Sequence, residues 1–120
     1  LPSDCYQIKA AFYCKESWYI QKNDSLLSHE RGHFDIMELL ARKLRKRICD
    51  YSNQGKIVNV DLELDWAMEQ FNLMSFEYDN ETDSGTKLAI QARWTQKISS
   101  ELASLSAYDS GTVICNNTKK

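Results

Sequence analysis

Proline and glycine are scarce in this sequence, which has one proline and four glycines among 120 residues. Since both residues mark turns, their scarcity favours a fold that is rich in helices. No run of residues approaches the roughly 20 apolar residues that cross a bilayer, so we expect no membrane span. The chain begins Leu-Pro-Ser-Asp, without an initiator Met or a signal peptide. We therefore expect the native N-terminus to lie upstream.

The sequence also lacks an excess of charge of either sign. Fifteen Lys and Arg residues oppose 17 Asp and Glu residues, which gives a net charge of -2. A balance of this kind provides no overall attraction to nucleic acid, and we expect no such partner. The one basic run, residues 42–47, falls at the end of a predicted helix. We expect these residues to form a solvated helix end, where their positive charges complement the helix dipole.

A C-x-x-C pair is missing as well, although four cysteines are present: Cys5, Cys14, Cys49 and Cys115. An even number of cysteines without that pair favours one or two disulfides over a thiolate zinc site. Disulfides in turn indicate an oxidising compartment. Four cysteines allow three pairings, and the sequence does not choose among them.

Apolar periodicity predicts two strands followed by three helices. The strands cover residues 5–14 and 18–20 and would form a small N-terminal antiparallel sheet. The first helix is capped by Asn23-Asp24-Ser25 and ends near residue 49, the second spans residues 61–78, and the third begins near residue 86. The fold class expected for residues 1–120 is therefore α+β, in one domain. The predicted apolar faces are Leu64, Ala67 or Met68, Phe71, Met74 and Tyr78 on the second helix, and Leu88, Ala92, Thr95, Ile98, Leu102 and Leu105 on the third.

His29-Glu30-Arg31-Gly32-His33 fits the H-E-x-x-H motif and lies inside the first predicted helix. Residues four apart share one helix face, so the two imidazoles can converge on one cation. Glu30 is rotated away from the ligand direction, where it can accept a proton from a zinc-activated water. The motif therefore predicts zinc bound by His29 and His33, with Glu30 as the catalytic general base.

A purely structural origin of the motif is the alternative, with both histidines buried and metal-free. Against it, the chain has only these two histidines, and they share one helix face. Gly32 between them costs up to about 1 kcal/mol in a helix interior. That cost predicts a close neighbour or a substrate near the backbone.

Residues 26–36, Leu-Leu-Ser-His-Glu-Arg-Gly-His-Phe-Asp-Ile, resemble the L-L-x-H-E-Q-x-H-F-D-I segment of a bacterial family of unknown function. Residues 78–85, Tyr-Asp-Asn-Glu-Thr-Asp-Ser-Gly, resemble its Y-D-x-x-T-x-H-G motif. Ser17-Trp18 is similar to its S-W pair, and Gln91 and Trp94 lie in a helix similar to one of its helices. The resemblance covers residues 18–105. The family is described as predicted secreted zinc-dependent proteases, which implies a zincin-like active-site helix, a peptide or protein substrate and a secreted or cell-envelope location.

The chain departs from this family at Ser84, where the family has a histidine that is the natural third zinc ligand. Catalytic zinc normally has three protein ligands. Asp79, Glu81 and Asp83 lie in the same turn, and Asp79 belongs to the family motif, so Asp79 is the candidate for that role. The alternative is that Asp79 and Thr82 only cap the third helix. Tyr78 is either an oxyanion donor or, more commonly for such a residue, part of the core.

Two functions follow from these observations. The first is a secreted zinc peptidase with ligands His29, His33 and Asp79. The second is a degenerate, non-catalytic member that binds a peptide or a partner, which Ser84 favours. Asp35 is rejected as a ligand because it is rotated about 200° from His33 in an ideal helix.

Overall fold

Three helices dominate the computed structural model, which describes residues 5–10, 24–109 and 113–115. The helices are α1 (Asp24–Asn53), α2 (Val60–Thr82) and α3 (Leu88–Ser104), and a short 3₁₀ turn, Ser106–Tyr108, follows α3. The strands are β1 (Cys5–Gln7) and β2 (Val113–Cys115). Helix α1 packs against both α2 and α3. None of the helices in these ranges is long and apolar enough to cross a membrane.

The expected α+β fold with an N-terminal antiparallel sheet is wrong. In the described residues the fold is helical, and the strands are only a three-residue ribbon in which β1 pairs with β2. Cys5 lies opposite Cys115, so the ribbon joins two distant parts of the chain instead of forming a local hairpin. Alternation of apolar residues identified extended backbone at β1, but it could not identify a partner about 110 residues away. The other predicted strand, residues 18–20, lies outside the described residues.

The helices begin close to the predicted positions, but α1 and α2 end later than predicted. Helix α1 continues to Asn53 and stops where Gly55 adopts a φ of +73°, a conformation that glycine takes without steric cost. Helix α2 begins after Asn59, whose side chain accepts a hydrogen bond from the backbone N–H of Leu62 at 3.3 Å. It continues past Tyr78 until Asp83 turns left-handed, with a φ of +50°. The last turn of α2 therefore includes Asp79.

The buried face of α3 differs from the prediction. Gln91, Trp94 and Ile98 are buried, whereas Leu88 is 63% exposed. Ala92 and Thr95 are exposed as well. The apolar pattern was misleading because the buried face contains a glutamine. That face packs in a cluster of Ile36, Leu40, Tyr78, Trp94 and Ile98.

On α2 the predicted face is only partly buried. Ala67 and Tyr78 are buried, while Leu64 and Met68 are 45% and 47% exposed. Phe71 and Met74 pack against the core cluster from its edge. The helix therefore uses a narrower face toward α1 than its apolar residues predict.

Arg45 is fully buried, which contradicts the expectation that residues 42–47 form a solvated helix end. Its guanidinium donates hydrogen bonds to the backbone oxygens of Ile8 and Tyr108, each at 2.9 Å, and to Glu38 at 3.0 Å. Because α1 runs on to Asn53, the basic run is not in its last turn. One buried cation thus connects the chain after β1, the 3₁₀ turn and α1.

Cys5 is disulfide-bonded, as an even cysteine count favours, and Cys49 is a free, half-buried thiol. Burial raises the pKa of the Cys49 thiol, and the nearby Asp50 raises it further. Because Cys49 is free, it is not the disulfide partner of Cys5; the side chains of the other cysteines lie outside the described part of the chain.

Candidate metal centre

His29 and His33 lie one turn apart on α1 and face Asp79 at the end of α2. The Nε2 atom of each histidine lies 2.7 Å from the same Asp79 oxygen, Oδ1. The imidazole rings are 5.0 Å apart and nearly perpendicular, at 88°. These three side chains offer ligand atoms within 4.8 Å of one another. The structure therefore brings together all three residues that the sequence predicted as ligands.

Asp79 reaches the histidines because it is a helical residue of α2, and it does not cap α3. The N-cap of α3 is Lys87, which makes no side-chain capping bond. Thr82 stabilises the end of α2: its hydroxyl donates to the backbone oxygen of Tyr78 at 2.7 Å and accepts from the N–H of Gly85 at 3.1 Å. The capping alternative for Asp79 and Thr82 is therefore wrong.

The centre is closed on one side and open on the other. The His29 side chain is 3% exposed, that of His33 19% and that of Asp79 46%. Asp79 therefore forms the solvent-exposed side of the centre, while Tyr78 of the core cluster covers His29. A catalytic metal needs such an open position, whereas a structural metal is usually enclosed by four protein ligands.

Behind His29 lies a buried series of hydrogen bonds that the sequence did not identify. Nδ1 of His29 is 2.9 Å from Oε1 of Gln91 on α3. Nε2 of Gln91 donates to the hydroxyl of Tyr78 at 2.6 Å, and that hydroxyl donates to the backbone oxygen of His29 at 2.9 Å. In the sequence, Gln91 was marked only by its place in a helix that resembles a helix of the similar family. Apolar periodicity does not reveal it, because a polar residue on a helix gives no sign of being buried.

Tyr78 belongs to the core, as its position at the end of an apolar stripe indicated. It is fully buried, and its ring stacks on that of His29 at 4.5 Å and 11°. Burial raises the pKa of Tyr78; the hydrogen bond from Gln91 opposes this shift, and the charges of Asp79 and Glu30 add to it. Because its hydroxyl already donates to a backbone oxygen, the oxyanion role is not supported.

Two glycines allow this close packing. A Cβ atom at Gly32 would lie 2.1 Å from the hydroxyl oxygen of Tyr78. One at Gly85 would lie 2.8 Å from Cβ of His29, and Gly85 also has a φ of +91°. The close neighbour that glycine predicted at position 32 is therefore Tyr78.

The other residues that the sequence analysis considered at this site are not part of the ligand group. Glu30 is exposed and lies outside the ligand group. Ser84 is also exposed, with a left-handed φ of +53°, next to the glycine that touches His29. Asp35 lies outside the ligand group, as expected, and burial raises its pKa against the opposing charge of Arg31.

No protein-family model, curated protein or solved structure matches this chain. The resemblance to secreted zinc-dependent proteases therefore stays a prediction that rests on two short motifs.

Proposed function

We propose that this protein is a secreted zinc-dependent peptidase with His29, His33 and Asp79 as metal ligands and Glu30 as general base. The observation that carries the proposal is the convergence of both motif imidazoles on Asp79, a residue 46 positions beyond His33. Such a convergence needs tertiary structure, so the spacing of the motif alone does not produce it.

The donor set fits zinc. Two imidazoles and one carboxylate are a common ligand set of catalytic zinc, which leaves a further position for water or substrate. Calcium and magnesium prefer oxygen ligands, which argues against them here. Two histidines and a carboxylate also serve non-haem iron. The exposed Glu30 next to His29 favours zinc, since the H-E-x-x-H pattern pairs that metal with a general base.

Each of the chain's residues at the centre would have a separate role in peptide hydrolysis. Bound zinc supplies a more acidic water and polarises the peptide carbonyl. Glu30 accepts the proton that the attacking water loses and can return it to the leaving amine. Asp79, exposed on one side, leaves that face open to an incoming peptide. The disulfide at Cys5 supports a secreted or cell-envelope location, in a bacterium as the resemblance implies.

The test combines metal content with peptide cleavage. We expect one zinc per chain, lost in His29→Ala and in His33→Ala. Glu30→Gln should keep the zinc, because Glu30 is not a ligand, while cleavage of a peptide library falls about 10²–10⁴-fold. Glu69→Gln, an exposed glutamate of α2, is the matched control and should change neither quantity. Wild-type zinc content in either histidine variant would place the metal elsewhere and contradict the proposal.

A peptide- or partner-binding domain without catalysis is the second candidate. Ser84, at the position where the similar family has a histidine, favours it. Zinc-loaded protein that binds library peptides but cleaves none would support this function over the peptidase. Protein that binds no zinc at all would instead support the metal-free, structural origin of the motif.

A further inference from the structure

Three hydrogen-bonding groups lie in a row behind the candidate metal centre: the Gln91 amide, the Tyr78 hydroxyl and the backbone oxygen of His29. Gln91 is 5% exposed and Tyr78 is fully buried, so bulk water does not compete for these bonds. The bond lengths are 2.6 Å from Gln91 to Tyr78 and 2.9 Å from Tyr78 to His29. Each group therefore has a defined partner, and the protons can be assigned.

The carbonyl oxygen of His29 can only accept, so the single hydroxyl proton of Tyr78 points toward it. Tyr78 must then accept its second bond, which only the amide nitrogen of Gln91 can donate. This places the amide oxygen of Gln91 at 2.9 Å from Nδ1 of His29. That oxygen only accepts, so Nδ1 carries a hydrogen.

We propose that Gln91 is a positioning residue: it keeps a proton on Nδ1 of His29, so that Nε2, which lies 2.7 Å from Asp79, is the nitrogen that would bind a metal. A neutral imidazole can carry its proton on either nitrogen, and only the nitrogen without it can bind a metal. Ligand histidines are commonly fixed in this way by a partner on the other nitrogen. The inference rests on the proposed role of His29 as a ligand and adds a residue that the motif does not contain.

His33 provides an internal comparison. Within the described residues no hydrogen bond joins its Nδ1 to another group, and its bonded nitrogen is Nε2, facing Asp79. The hydrogen bond from Nδ1 to Gln91 is therefore made by His29 and not by His33. A change at Gln91 should alter the imidazole of His29 and leave the imidazole of His33 close to its wild-type state.

The experiment measures imidazole ¹⁵N chemical shifts in metal-free protein, at a pH well above the ordinary histidine pKa of about 6.5. Wild type should show His29 protonated on Nδ1. Gln91→Leu removes the acceptor at Nδ1, and the shifts should move toward the Nε2–H tautomer, because Asp79 Oδ1, 2.7 Å from Nε2, is then the acceptor that remains. Gln91→Glu keeps an oxygen acceptor and should keep the Nδ1–H signature. Gln96→Leu makes the same change at an exposed glutamine of α3 and should leave all shifts unchanged.

Zinc affinity is the second measurement. Loss of a partner that orients a ligand typically costs 10–100-fold in affinity, so Gln91→Leu should weaken zinc by about that factor, with rescue in Gln91→Glu. A purely structural role of Gln91 would predict no such rescue. If Gln91→Leu does not fold, Gln91→Asn replaces it, since the shorter amide withdraws the oxygen from Nδ1.

The outcomes separate this inference from the proposed function. Wild-type ¹⁵N shifts of His29 in the folded Gln91→Leu or Gln91→Asn variant would overturn the role of Gln91, whatever the zinc result. Absence of zinc binding in wild type would contradict the metal centre, while the tautomer measurement, made without metal, still decides the role of Gln91.

Discussion

Asp79 contacts both motif histidines through one carboxylate oxygen, 2.7 Å from each Nε2 atom. It is the only acidic residue of its turn that joins the ligand group, since Glu81 bonds to Trp94 at 3.0 Å instead. Asp79→Ala should therefore weaken zinc by more than about 100-fold, the upper range for loss of a group that only orients a ligand. Isothermal titration measures this, with Asp65→Ala on the exposed side of α2 as control. Equal zinc affinity in both variants would exclude Asp79 as a ligand.

Ser84 is the residue at which a third histidine can be restored. Its φ of +53° is a left-handed conformation that histidine adopts more readily than most residues. The next residue, Gly85, already lies against His29. Ser84→His should therefore tighten zinc and raise any peptidase activity, whereas Ser84→Ala should do neither. Unchanged affinity in Ser84→His, together with a loss in Asp79→Ala, would show that the carboxylate is sufficient.

The packing around position 32 leaves no room for a side chain. Replacement of Gly32 therefore tests how close the Tyr78 ring lies to the backbone of α1. An added Cβ would lie 2.1 Å from the Tyr78 oxygen and 2.6 Å from the carbon that bears it. Because the ring is fully buried, it cannot swing into solvent. Gly32→Ala should therefore destabilise the fold by about 1–3 kcal/mol, the usual cost of overpacking. That cost opposes the gain of up to about 1 kcal/mol that alanine brings to a helix.

Urea denaturation measures the effect of Gly32→Ala. Ser100→Ala, at an exposed position of α3, is the control and should be neutral or slightly stabilising. A Gly32→Ala variant as stable as this control would show that the Tyr78 ring has room to move. The hydrogen bond from Tyr78 to His29 would then contribute little to stability.

At the scale of the elements, Arg45 connects α1 with the segment after β1 and with the 3₁₀ turn. Its removal deprives the backbone oxygens of Ile8 and Tyr108 of their donor, while Glu38 keeps a second partner, Arg42, at 2.8 Å. A buried acceptor left unpaired costs about 1–3 kcal/mol, so Arg45→Met should destabilise by about 2–6 kcal/mol. Lys46→Met is the matched control: Lys46 pairs with Asp50 at the surface, so little change is expected. Similar denaturation midpoints for the two variants would contradict this role of Arg45.

The three helices also show which structural features local sequence patterns can predict. Helix starts follow from side-chain caps and apolar periodicity, which act within one or two turns, and these were predicted closely. The buried face of α3 was not, because Trp94 and Gln91 are selected by contact with Tyr78 and His29 on other helices. The ends of α1 and α2 were missed by about four residues each, since they depend on the left-handed residues Gly55 and Asp83.

For the whole molecule, the cysteines give a prediction that needs no metal. Cys5 is in a disulfide and Cys49 is free, so the four cysteines of the sequence allow one intramolecular disulfide. Thiol titration of denatured, unreduced monomer should therefore find two free thiols per chain. Full reduction should raise the count to four, and Cys49→Ser should lower the unreduced count to one. Four thiols before reduction would contradict the disulfide.

The sequence by itself determined three helices, the helix face shared by His29 and His33, and Asp79 as a candidate ligand. These depend on residue spacing along single helices, and for Asp79 on a short motif. Only the tertiary structure decided that Asp79 meets both histidines, that Gln91 lies behind His29, and that β1 pairs with β2 instead of a neighbouring strand. Each of these contacts joins residues 46 to about 110 positions apart. Packing between elements sets such contacts, and no periodicity within one element encodes them.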